Sequence, residues 1–200
     1  MTNSLSPRIP AARLLGLVFV AMIATGCTWF AGDGNDPLAD ADDPSAATVP
    51  QPDDQNTTVT ATVLFVIDGD TVELEIAGMT ERVRLLGIDA PESVHPSEPE
   101  QCFGAEASAA LTDLLPIGSM VEVVRDLEAR DRFDRLLLYL YRAEDGLFVN
   151  EWLVRNGLAD TSFFEPNTAL APALTAARSG AREESAGLWG SCDGPDQPLQ

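Results

Sequence analysis

The chain has 200 residues, of which 12 are basic and 32 acidic, for a formal net charge of −20, and it carries a single histidine. That length allows one or two domains, and one histidine excludes a multi-histidine transition-metal site. Every basic residue is arginine, and the acidic balance runs against the basic footprint usual in a nucleic-acid binder.

Met1 to Gly26 has arginines at 8 and 13, an uncharged run from Leu14 to Thr25, and then Gly26-Cys27. The run falls short of the about 20 apolar residues that span a bilayer, and it suits the core of a signal peptide. Ala24-Thr25-Gly26-Cys27 resembles a bacterial lipobox, with Cys27 as the lipidated N-terminus, although leucine is usual where Ala24 stands. An ordinary cleaved signal and an uncleaved anchor fit the same residues. Of three cysteines, two can pair and one is left over, in keeping with lipidation of Cys27. Residues 28–56 hold seven aspartates, four prolines and no basic residue. Such a segment cannot bury a core and is expected to be a disordered, self-repelling tether.

From Thr57 the composition becomes globular, and a single domain is expected over 57–192 with a disordered tail over 193–200. Thr58 to Ile67 is rich in Val and Thr and reads as a first strand, and Asp68-Gly69 is a turn signal. Val72, Leu74 and Ile76 alternate with polar residues, as do Val83 and Leu85, which predicts two strands joined near Gly78. Strands running out and back bring Asp70, near the start of one, close to Asp89, just past the end of the other. Ser93 to Gln101 reads as an irregular loop, and Phe103 to Leu115 as a helix ended by Pro116 and Gly118. Ser119–Arg125 and Leu136–Tyr141 read as strands separated by a charged loop, Arg130 to Arg135. Val149 to Asn156 reads as a short helix capped by Gly157, and Leu170 to Leu188 as a last helix with Pro172 in its first turn. The fold class is therefore α+β, mainly β. Five strands, with a helix between the third and fourth, have the order of an OB-type barrel, here with three helices.

At five places the residues carry a resemblance. Val66-Ile67-Asp68-Gly69-Asp70-Thr71, Arg84-Leu85-Leu86-Gly87-Ile88-Asp89-Ala90-Pro91-Glu92, Phe103-Gly104-Ala105-Glu106-Ala107, Asp131-Arg132-Phe133-Asp134-Arg135 and Val149-Asn150-Glu151 resemble, in order, the motifs of the thermonuclease (staphylococcal-nuclease-like) family. The resemblance covers about 57–190 and implies calcium-dependent hydrolysis of phosphodiester bonds in DNA and RNA. It implies Asp70, Asp89 and the backbone carbonyl of Ala90 as ligands to Ca2+, a hard cation that takes oxygen donors. It implies Glu92 as the residue that positions or deprotonates the attacking water, and Arg84 and Arg135 as the pair that grips the scissile phosphate. Two guanidiniums with calcium would stabilise negative charge where it develops. Release of the 5′ oxygen and 3′-phosphate products follow by analogy. Arg132 and Phe133 would meet substrate. Phe133 and the Ser162-Phe163-Phe164 segment stand where family members carry tyrosines, so contacts to a terminal phosphate are expected to differ.

Each of these residues has a plainer explanation. Asp68 reads as a structural turn residue, Glu92 could cap a turn, and Arg84 and Arg135 could form surface pairs worth about 0 to 1 kcal/mol. Their joint presence favours the site. His95, in a loop before Pro96, reads as incidental. Cys102 and Cys192 invite a disulfide in an exported protein, closing the C-terminal helix onto the barrel. From Thr57 onward there are 25 acidic and 10 basic residues. That fits adaptation to high salt, where repulsion from a polyanion is screened, or else a lapsed nuclease. The leading expectation is an exported, membrane-tethered, monomeric nuclease. A non-catalytic nucleic-acid-binding module and a purely structural envelope lipoprotein are the alternatives.

Overall fold

The computed structural model describes residues 59–93 and 100–198. The expected signal segment, Cys27, the linker and His95 lie outside the described residues. In chain order the elements are β1 (Val59–Val66), β2 (Thr71–Ile76), β3 (Met79–Leu85), β4 (Ile88–Asp89), α1 (Gly104–Leu114), β5 (Met120–Arg130), β6 (Leu136–Arg142), α2 (Val149–Arg155), β7 (Asp160–Thr161), α3 (Ala171–Glu183) and the four-residue α4 (Leu188–Ser191).

Five strands close into a barrel in the order β1-β2-β3-β6-β5, with β5 pairing back onto β1. Alternation places Ala61, Val63, Val72, Leu74, Val83, Leu85, Val121 and Val123 inside. Burying each such Val or Leu contributes about 1.5–3 kcal/mol. In β6 the alternation is lost: Leu138, Tyr139, Leu140 and Tyr141 are all buried. One face of that strand lines the barrel. The other is covered by Phe148, whose ring stacks on Tyr141 at 4.8 Å and meets Tyr139 edge-on at 6.0 Å. α1 brings Ala107 and Leu111 into the same core.

The mainly β, five-stranded barrel with three helices agrees with the sequence reading, and four local features differ from it. β5 continues to Arg130, because its irregular stretch is held from outside. Asn167 accepts the Glu128 N–H at 2.7 Å and donates to the Glu128 carbonyl at 3.0 Å, and Asp126 accepts the Ala169 N–H at 3.0 Å. The last helix ends at Glu183 instead of Leu188, because Gly187 turns to φ 50 and its backbone packs on that of Gly157. A Cβ on Gly187 would lie 2.2 Å from the Gly157 oxygen, and the Leu188 N–H bonds that same oxygen at 2.8 Å. The short strands β4 and β7 pair Ile88 with Thr161 and Asp89 with Asp160, a two-strand sheet too brief to show as a pattern. Finally, residues 193–198 are ordered against the start of α1: Gln101 bridges Pro198, and the Cys102 N–H donates to the Gln197 carbonyl at 2.7 Å.

Candidate active site

The turn before β2 sets the first carboxylate. Asp68 Oδ1 accepts the Asp70 N–H at 3.0 Å, which is the structural part expected of Asp68. Gly69 has no room for a side chain, since a Cβ there would lie 2.6 Å from Ala90 Cβ and 3.0 Å from Ala107 Cβ. The segment leaving β4 is thereby packed directly on the turn, where the Ala90 N–H donates to Asp70 Oδ2 at 2.9 Å. Thr71 donates its hydroxyl to Asp70 Oδ1 at 3.0 Å.

Register then supplies the cation. Thr71 faces Arg84 across the β2–β3 ladder, so the guanidinium arrives beside Asp70. Arg84 Nη1 donates to the carbonyls of Leu85 and Ile88 at 2.9 and 2.8 Å, and Nη2 lies 3.0 Å from Asp70 Oδ2 and 2.7 Å from Asp89 Oδ1. One guanidinium nitrogen thus holds two carboxylates together. Burial raises the Asp70 carboxyl to about 7; Arg84 opposes this, and Asp68 and Asp89 add to it. Asp89 is raised as well, again by burial first, with Arg84 opposing and Asp196, Asp160 and Glu92 adding. Glu92 therefore has its carboxylate in electrostatic reach of Asp89.

Arg135 comes from the other side of the barrel seam. β3 and β6 run parallel with Arg84 opposite Leu137, so Arg135, two residues earlier in the chain, projects from the same outer face. The tight turn before it is organised by Asp131, whose Oδ1 accepts the N–H groups of Phe133 and Arg135 at 2.9 and 3.0 Å, and whose Oδ2 accepts Arg135 Nε at 2.7 Å. Asp134, at φ 66, makes the bend. Arg84, Asp89, Arg132, Phe133 and Arg135 all line one cleft of about 510 Å³, with Phe164 on its rim. Phe133 and Phe164 are 65% and 76% exposed, and the Arg132 guanidinium stacks 4.6 Å from the Phe133 ring centre.

A family model described as staphylococcal nuclease homologue matches residues 82–191, more than half of the chain. The chain belongs to the staphylococcal nuclease family. The thermonuclease of Staphylococcus intermedius is 33% identical over 124 residues, covering 62% of this chain and 72% of that protein. Endonuclease YncB of Bacillus subtilis is 31% identical over 144 residues, 72% of this chain and 67% of that protein. An uncharacterized Bacillus anthracis protein is 36% identical over 133 residues, and there this chain spans only 61% of the relative's length. The domain is accordingly of the hydrolytic, phosphodiester-cleaving nuclease class.

The staphylococcal nuclease motifs thus converge as follows. Asp70, Arg84 and Asp89 meet directly, and Ala90 joins them through its N–H. Arg135, Arg132 and Phe133 share the cleft. Glu92 follows Pro91 with both main-chain groups bonded to Gln101. Cys102 and Cys192 are joined, with Cα atoms 5.9 Å apart. Carboxylate oxygens are donors of the kind a hard cation takes. Two carboxylates sit on one nitrogen, and among the described residues no group of three His, Cys, Asp or Glu side chains gathers for ligation. A cation here would take its remaining oxygens from main chain, water and substrate, as calcium does.

Four further residues support the site without having been singled out in the sequence for that part: Thr71, Gln101, Asp131 and Asn150. Asn150 is fully buried; its side chain donates to the Leu86 carbonyl at 2.9 Å and accepts the Leu140 N–H at 3.0 Å. It ties the end of β3, from which the site segment departs, to β6. An asparagine directly after Val149, in the short helix that also carries Trp152, Leu153 and Val154, was the available signal.

Proposed function

We propose that this chain is an exported, membrane-tethered nuclease that hydrolyses phosphodiester bonds in DNA or RNA with calcium, leaving 3′-phosphates. The observation that carries the reading is Arg84 clasping Asp70 and Asp89 at 3.0 and 2.7 Å on the edge of a cleft that Arg135 also lines. Asp70, Asp89 and a main-chain oxygen of Ala90 would hold calcium, which when bound supplies positive charge to the phosphoryl oxygens.

The chain's own residues carry the remaining work. Arg135 is fixed through Nε on Asp131, so the donors it brings to a phosphoryl oxygen are its terminal nitrogens. Their planar, fixed orientation lets charge be met as it develops, without reorganisation in the transition state. Glu92 accepts the proton of the attacking water as the new P–O bond forms; the bond to the 5′ oxygen breaks, and that oxygen leaves as a hydroxyl after taking a proton from solvent water. Phe133 and Phe164 present exposed ring faces, which stack on bases of any identity. Export is supported by the apolar N-terminal run ahead of Cys27 and by the Cys102–Cys192 bridge, which persists in oxidising compartments. Among the described residues no helix is long and apolar enough to cross a membrane, and the tether proposed is a lipid on Cys27, in the lipobox-like Ala24-Thr25-Gly26-Cys27.

The test is cleavage of single-stranded DNA by the full chain with calcium or with chelator, from low to molar salt. Calcium-dependent cleavage lowered steeply, to a small but measurable residual rate, by Glu92→Gln and by Arg135→Ala is expected. A rise with salt is expected too, because the net charge of −20 repels the substrate until it is screened. A folded, oxidised sample that binds DNA but never cuts it would replace this reading with the binding module.

A further inference from the structure

Glu92 is gripped by its backbone. Its N–H donates to Gln101 Oε1 at 2.9 Å, and its carbonyl accepts the Gln101 N–H at 2.8 Å. A single residue therefore satisfies both main-chain groups of the proposed base. The other side of the peptide is closed, since a Cβ on Gly104 would lie 2.5 Å from the Glu92 oxygen. Gln101 is itself fixed from behind. It bridges Pro198, its neighbour Cys102 bonds the Gln197 carbonyl at 2.7 Å, and Cys102 is joined to Cys192. Between these attachments Pro195 and Asp196 pass Asp89 and Pro91, with which they line a cavity of about 230 Å³. Residues 192–198 form a strap that connects the bridge to the backbone of the site.

We propose that Gln101 is a positioning residue for Glu92, and that the Cys102–Cys192 bridge and its strap hold Gln101 in place, so that turnover requires the oxidised bridge. The inference rests on the reading of Glu92 given above. A base must lie within hydrogen-bond reach of the proton it takes, and a displacement of about 1 Å costs on the order of 100-fold in rate. Reduction by a dithiol passes two electrons and two protons to the two sulfurs. The S–S bond breaks to two thiols and the dithiol leaves as its cyclic disulfide. The strap then has no covalent anchor, and Gln101 loses the support behind its grip. A nuclease so arranged is restrained in a reducing cytoplasm and gains full activity after export.

The test measures kcat and KM for single-stranded DNA with the full chain and with Gln101→Leu, Gln101→Glu, Glu92→Gln, the Gln101→Leu/Glu92→Gln pair and Cys102→Ser/Cys192→Ser, folding being checked by circular dichroism. Gln101→Leu and the cysteine pair are expected to lower kcat about 10- to 100-fold with KM within about twofold. Gln101→Glu, which keeps an acceptor for the Glu92 N–H, retains most of kcat. Added to Glu92→Gln, Gln101→Leu costs nothing further, because it acts only through that carboxylate. A dithiol lowers kcat of the native chain and leaves the cysteine pair unchanged. A folded Gln101→Leu with native kcat, or a loss that multiplies in full onto Glu92→Gln, overturns the proposal while the proposed function stands. Native activity in Glu92→Gln overturns both this proposal and the reading of Glu92 as the base. Should the cysteine pair fail to fold, Gln101→Leu and its double variant decide.

Discussion

Replacing Asp70 by asparagine should make the folded protein more stable near neutral pH while it abolishes cleavage. Asp70 is 7% exposed, and burial raises its carboxyl from 3.8 to about 7 despite Arg84 at 3.0 Å. With the folded value above the unfolded one, the folded state holds more protons between those two pH values. Stability is therefore fully present below the lower value and falls as pH rises through the window. Three units at about 1.36 kcal/mol each make the stability lost across that window roughly 4 kcal/mol. Asparagine removes that cost and keeps most of the contacts. Its oxygen can accept the Ala90 N–H where Oδ2 does, and its NH2 can meet the Thr71 hydroxyl, which reverses to accept. Allowing for the loss of a charged partner to Arg84, a gain of about 2 kcal/mol is expected around pH 8, shrinking toward about pH 5. Urea unfolding of both proteins with chelator present, followed by circular dichroism, measures it. Asp70→Asn less stable around pH 8, or an equal difference at the two pH values, would refute the account of a carboxylate kept charged against its surroundings for the sake of the site.

Other substitutions separate chemistry from packing. Arg84→Lys should lower kcat by about 100-fold or more in single-stranded DNA cleavage, because an ammonium cannot meet two carbonyls and two carboxylates in one plane. Gly69→Ala inserts a Cβ 2.6 Å from that of Ala90, and should cost about 1–3 kcal/mol in urea unfolding and reduce cleavage together. Asn150→Ala leaves the Leu86 carbonyl and Leu140 N–H buried without their partner, and thermal unfolding should show a loss of about 2–4 kcal/mol.

Much of this protein was written in local pattern. Period-two alternation marked β2 and β3, the Val- and Thr-rich run marked β1, and Pro116 and Gly118 marked the end of α1. The meeting of Asp70, Arg84 and Asp89 was legible because a hairpin joins them, and the facing of Thr71 and Arg84 follows from a short turn. Motif order carried the barrel and its class. What only the tertiary structure decided depends on partners far along the chain. β5 runs on to Arg130 because Asn167, 39 residues after Glu128, takes over the backbone groups of its irregular stretch. The last helix breaks where two glycine backbones, Gly157 and Gly187, come too close for any side chain. Residues 193–198 are ordered by the bridge at Cys102 and the strand-like contact at Gln101, although their composition predicts none of it. Hydrophobic period and turn chemistry act between neighbours in sequence, so the residues themselves determined the strands, the turns and the site's hairpin half. The grip on Glu92, the seam that brings Arg135 to Arg84 and the strap across Asp89 required closure of the barrel, because their partners become neighbours only after distant segments have packed.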